Sequence, residues 1–167
     1  QWEEPDCAAG IAVLMEIGME LTGKAEYEEL LEQCLAYLDA YEGSSLYEVL
    51  LYFAPALAAK FNAQNNMNYD IDNLLGDVLN GNSIPRGGWG QINGTWGEYC
   101  VNGLMGSTTD GDGYAFAMNT FAAGYALAPL AKYDTRYAQA MGIWFLNASA
   151  AGRYFLSLIH ISEPTRH

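Results

Sequence analysis

Four carboxylates stand outside the charged faces of helices. Glu3 and Glu4 precede the first apolar segment, Glu98 sits in a Trp-rich stretch, and Asp110 lies in a Gly-rich turn. Carboxyl groups set in pairs can serve as general acid and general base. Asp110 is the strongest of the four, because it falls outside the position that a helix cap would need. Asp6 and Asp112 have a simpler use, as N-caps of the helices that follow them. The run Asp110-Gly-Asp112-Gly113 also hints at a calcium loop, but the third acid and later Glu of the full pattern are missing. No other metal pattern and no cofactor motif is legible.

The stretch between Trp89 and Tyr99 reads as a β-hairpin turning at Asn93-Gly94, the strongest short hairpin signal. That register sets Ile92 opposite Thr95, Gln91 opposite Trp96, Gly90 opposite Gly97 and Trp89 opposite Glu98. Alternation then puts Trp89, Gln91, Trp96 and Glu98 on one face. Two indoles beside an amide and a carboxylate suit a sugar, whose apolar face stacks on Trp while its hydroxyls take the polar groups. The competing reading is that both indoles pack on helices. Nearby, Arg86 either pairs with an acid or meets an anionic sugar. Asn119, inside an apolar segment, orients either a ligand or a loop. Cys7 and Cys34 read as small apolar residues, and Cys100 has no basic neighbour to activate it.

The elements that must position these groups are mostly helices. Residues 26–42 carry Tyr27, Leu30, Leu31, Cys34, Leu38 and Tyr41 at helical spacing, with acids on the other face. Residues 7–22 leave little polar face and predict a helix buried nearly all round. Gly23 stops it, so the two form an antiparallel hairpin. Residues 45–62 repeat the buried type, with a kink expected at Pro55. Asp70 caps a helix over 71–79. Another apolar helix is expected over 114–132, and Asp134 caps a last one over 135–155. Leu21–Tyr27 and Ala131–Tyr137 are similar turns in equivalent places. The pattern is three helical pairs, interrupted by a long insert over 80–113 that is rich in Gly, Asn and Trp. The first, third and fifth helices then run parallel, with their N-termini, the acids before them and the insert on one rim.

Composition narrows the partners. Apolar residues make up 51% of the 167 and charged ones 16%, which predicts a folded domain. The net charge of −13 argues against nucleic acid or an anionic membrane as partner, and no apolar run reaches the length of a membrane span. Both ends look artificial. The chain starts at Gln1 without a signal peptide and is expected to be cut there. Residues 156–166 resemble an in-frame translation of a transposon-type sequencing-library adapter, so 156–167 is expected to be a non-native tail. Both histidines, His160 and His167, fall in it. Removing Glu163 and Arg166 takes one charge of each sign, so the net charge stands. Histidine catalysis is therefore excluded for residues 1–155.

The alternating helices of 7–155, their hairpin turns and the stretch Gly103-Leu-Met-Gly-Ser-Thr-Thr-Asp-Gly-Asp-Gly-Tyr-Ala-Phe-Ala-Met-Asn-Thr120 resemble the six-hairpin (α/α) toroid superfamily. That resemblance implies a mainly α fold, residues 1–155 forming part of an (α/α)6 toroid with a small β-hairpin insert near 88–100. The missing remainder of the chain would close the ring. It implies a carbohydrate-active enzyme, foremost a glycoside hydrolase, with its cleft over the N-terminal ends of the inner helices. Such enzymes set two carboxyl groups across the scissile bond, about 5–5.5 Å apart for retention and about 6.5–9.5 Å for inversion. Asp110 and Glu98 are then the first catalytic candidates and Glu3 and Glu4 the next. Trp89, Trp96, Gln91, Asp112, Tyr114, Asn119 and Arg86 would bind substrate. An extracellular or periplasmic place follows from the resemblance alone. The alternatives are a polysaccharide lyase, with Tyr99 or Tyr114 as base and Arg86 as cation, and a non-catalytic helical-repeat binding module. An isoprenoid-cyclising toroid lacks its Asp-rich metal motif here.

Overall fold

The computed structural model of the chain describes residues 4–80, 88–107 and 114–155, which are mainly helical with a small antiparallel sheet. Helices α1 (Cys7–Thr22) and α2 (Ala25–Asp39) form the expected antiparallel hairpin. Gly23 ends α1 with φ 67°, and its N–H donates to Met19 O at 2.7 Å. Leu31, Leu35 and Leu38 turn α2 onto the core. The expectation that α1 is buried all round is corrected. Only Ala9 and Ala12 are buried in it, while Ile11, Leu14, Ile17 and Leu21 face outward. Its apolar circumference exceeds what its described neighbours cover.

Pro55 does not kink a long helix. A 3-10 turn (Leu50–Phe53) leads into α3 (Ala54–Asn65), and Pro55 sits in the first turn of α3. A proline is tolerated there because that N–H has no helical acceptor. The next helix, α4 (Ile71–Leu79), has the expected bounds, and Asp70 Oδ1 accepts from Asn73 N–H at 2.9 Å. The helix expected over 114–132 is shorter and broken: α5 spans Ala117–Leu127, α6 Leu130–Tyr133. Pro129 cannot donate into the preceding turn. The residue at the cap position of α5 is Phe116, not Asp112. Asp134 caps a 3-10 turn (Thr135–Tyr137), accepting from Arg136 N–H at 3.1 Å, and α7 (Ala138–Gly152) follows.

Side-chain ties fix the relative directions. Gly10 lies against Leu50, and further along the Lys60 ammonium bonds the Glu16 and Glu20 carboxylates. The two segments therefore run the same way. The α5–α6 segment follows suit, since α5 starts against the Leu50–Phe53 turn with Asn119 facing Tyr52, and α6, which continues it, packs along α3, with Pro129 and Tyr133 beside Leu57 and Lys60. Helix α4 returns antiparallel to α3. Tyr69, before α4, bonds Asn62, and Asp77 near its end accepts both the N–H and the hydroxyl of Ser45 at 2.9 Å. Helix α7 likewise returns along α5, Phe145 meeting Gly124 and Gly152 meeting Phe121.

The sheet differs from the expected hairpin. Strands β1 (Trp89–Gln91), β4 (Met105–Ser107) and β5 (Tyr114–Ala115) pair antiparallel in the order β1-β4-β5. Between β1 and β4, strands β2 (Thr95–Trp96) and β3 (Tyr99–Cys100) form a separate two-stranded arm. Trp89 stands opposite Ser107, Gln91 opposite Met105 and Trp96 opposite Tyr99. The register that set Trp89 against Glu98 and Gln91 against Trp96 is thereby overturned. The turn lies at Gly97-Glu98, where Gly97 takes φ 61°, a left-handed value suited to the first loop position. Asn93-Gly94 lies lower in the arm, where Gly94 N–H donates to Asn102 Oδ1 at 2.6 Å.

Candidate functional site

One end of the molecule gathers the starts of α1, α3 and α5 together with β1. Asp6 is 2% exposed, and its Oδ2 accepts from Glu48 N–H at 2.9 Å, joining the start of α1 to the approach to α3. Burial raises the pKa of Asp6, the Glu48 N–H opposes this, and the Glu4 and Glu48 carboxylates add to the rise. Three carboxyl groups therefore share this end, and Glu4 and Glu48 are exposed. Glu4 also accepts from Cys7 Sγ at 3.6 Å. The Cys7 thiol is pushed up by burial and then by Glu4, which makes it a poor nucleophile at neutral pH.

Beside the acids lies an aromatic group. The Trp89 ring is 6.0 Å from Tyr114 and 5.9 Å from Phe116, and those two rings meet edge to face at 5.3 Å. Trp89 is buried beneath the group, so its indole is not an open stacking surface; the exposed rings are Tyr114 and Phe116. The fully buried Tyr52 hydroxyl faces the polar atoms of Trp89 and Asn119. Burial pushes its pKa up to about 12, against the pull of those two neighbours. Asn119 is itself buried, at the place where α5 passes the segment before α3. Thr120 ties α5 to β4, its Oγ1 accepting from Met105 N–H at 3.0 Å and donating to Phe116 O at 2.8 Å.

The other candidates are spread out. Gln91 is half-buried and donates from Nε2 to Asn93 Oδ1 at 2.5 Å. Trp96 and Glu98 are exposed in the arm, Glu98 at its tip. The structure therefore brings together Glu4, Trp89, Tyr114 and Asn119, and separates Glu98 from Trp89. Glu3, Arg86, Asp110 and Asp112 lie outside the described residues. Among the described residues no cluster of three or more His, Cys, Asp or Glu is arranged to hold a metal ion, and no helix is long and apolar enough to cross a membrane.

Glu48 was not singled out by the sequence reading. A helix over 45–62 placed it on a helix flank, whereas the late start at Leu50 leaves it in the approach. The available signal was Pro55, which favours the first turn of a helix over its middle. Ser44 and Ser45 are buried and spent on structure, Ser45 through Asp77. Elsewhere a concavity of about 340 Å³ opens between α1, α3 and α5, lined by apolar side chains such as Val13, Leu57 and Tyr125 and by the Lys60–Glu16 pair. Comparisons with protein-family models, curated proteins and solved structures found no match.

Proposed function

We propose that this chain is part of a carbohydrate-active enzyme, a glycoside hydrolase whose acid and base groups stand at the end where α1, α3 and α5 begin. The observation that carries this reading is that shared end. It holds exposed Glu4 and Glu48 around buried Asp6, with the Tyr114 and Phe116 rings alongside. Asp110 belongs to the segment joining β4 to β5, whose paired ends stand at that same end, and it remains the first catalytic candidate with Glu4 and Glu3. Glu48 joins them. Glu98 would act only if substrate extended to the tip of the arm.

The parallel course of α1, α3 and α5, with α2, α4 and α7 returning antiparallel, supports half of an (α/α)6 ring. The open apolar side of α1 is what an incomplete ring would leave. The test is release of reducing ends from neutral polysaccharides by the full-length protein. Asp110→Asn and Glu48→Gln are expected to lower kcat by a factor of about a hundred or more without a change in melting temperature. Unchanged turnover in both variants would remove the reading. Products absorbing as unsaturated uronates would replace it with a lyase.

A further inference from the structure

The arm combines a rigid base with an exposed aromatic tip. At its base, Ile92 N–H donates to Leu104 O at 2.7 Å and Gly103 N–H to Ile92 O at 3.0 Å. Val101 N–H donates to Gly94 O at 3.1 Å. Ile92, Val101 and Leu104 pack with Ala151 of α7 in a small core of their own. Gly103, at φ 88°, lies so close to α7 that a Cβ there would sit 2.8 Å from Ala148 N. Beyond that base every residue from Asn93 to Cys100 is exposed.

Trp96 and Tyr99 are cross-strand partners, so their rings share one face of the arm, away from Thr95 and Cys100. Tyr154 extends the face, its ring 5.0 Å from that of Tyr99. Trp96, Tyr99 and Tyr154 are 41%, 52% and 41% exposed. The Glu98 carboxylate ends the arm and the Arg153 guanidinium lies 5.5 Å from the Tyr154 ring. The open side of α1 is aliphatic. This one is aromatic, carries two phenol hydroxyls and is flanked by both charge signs.

We propose that Trp96, Tyr99 and Tyr154 form a platform for a neutral glycan chain, separate from the acidic end. Pyranose rings stack on the aromatic faces, and Glu98 and Arg153 meet hydroxyls. The net charge of −13 disfavours polyanions. Because the arm is held at its base, little ordering is left to the moment of binding. The choice of glycan as ligand rests on the proposed function; the platform itself does not.

The test is calorimetric titration of the full-length protein with cellohexaose, mannohexaose and xylohexaose. At least one is expected to bind. Trp96→Ala and Tyr99→Ala are each expected to weaken it tenfold or more, and Thr95→Ala, on the opposite face, to leave it unchanged. No binding to any of the three, or equal binding by Trp96→Ala, overturns the proposal. So does a self-association that Trp96→Ala abolishes, since the arm would then be a protein contact. Glycan cleavage with binding indifferent to Trp96 removes the platform and keeps the hydrolase. Binding through Trp96 without cleavage does the reverse.

Discussion

Asp6 is a carboxylate set where water barely reaches, with the Glu48 N–H to hold it. Its raised pKa means that the folded chain keeps this proton to a higher pH than the unfolded chain does. Stability therefore falls as pH rises from the ordinary carboxylate value through the raised one, and then levels off. Asp6→Asn keeps an oxygen to accept from Glu48 N–H and removes the charge. The variant is expected to match or exceed the parent in melting temperature at neutral pH, the gap closing as pH falls through the carboxylate range. A variant that melts lower at every pH would show that the charge strengthens the bond by more than burial costs. Asp6 was legible as a residue at the start of a helix, but the capping bond expected of it is not made, its carboxylate turning to Glu48 instead. Its partner was not, because the tie runs to Glu48, 42 positions away, and no local pattern encodes such a distance. Asp70, whose partner Asn73 lies three positions on, was fully legible.

The elements divide in the same way. Helix α4 and the α1–α2 hairpin follow from local signals, a cap and a left-handed glycine. The sheet does not, because β1 found β4 as partner across an intervening arm. Gly106 explains why that pairing holds. It lies between β1 and β5, where an added Cβ would stand 2.1 Å from Tyr114 O. Only a glycine lets the three strands close, and in the sequence it looked like one more glycine in a Gly-rich insert. Gly106→Ala is expected to cost roughly 3 kcal/mol or more, since the nearest atoms are backbone and cannot turn aside. Chemical denaturation checks this, and a loss under about 1 kcal/mol would mean that the strands have room to move apart. The same pairing undid the proposed indole face, which depended on β1 meeting 95–99. What survives is an acidic end with Tyr114 and Phe116, assembled by three helix starts that the alternating pattern had already set side by side.

At the scale of the whole molecule, an acidic chain carries large apolar side chains in the open. Leu14 and Leu21 on α1 are 62% and 80% exposed, and Met118, Tyr125 and Leu146 are also open. With a net charge of −13, like-charge repulsion opposes contact between molecules through them near neutral pH. The sequence pI is about 4.2. Light scattering is expected to rise steeply as pH is lowered toward that value, and less so for Leu14→Ser/Leu21→Ser. Equal scattering by parent and variant would mean that the α1 stripe is not the sticky surface. Acid then acts twice on one molecule: it discharges the coat that keeps particles apart and leaves the greasy stripe as it was. Colloidal lifetime would accordingly be longest in mildly alkaline, low-salt buffer, where the coat is fully charged and its reach is least screened.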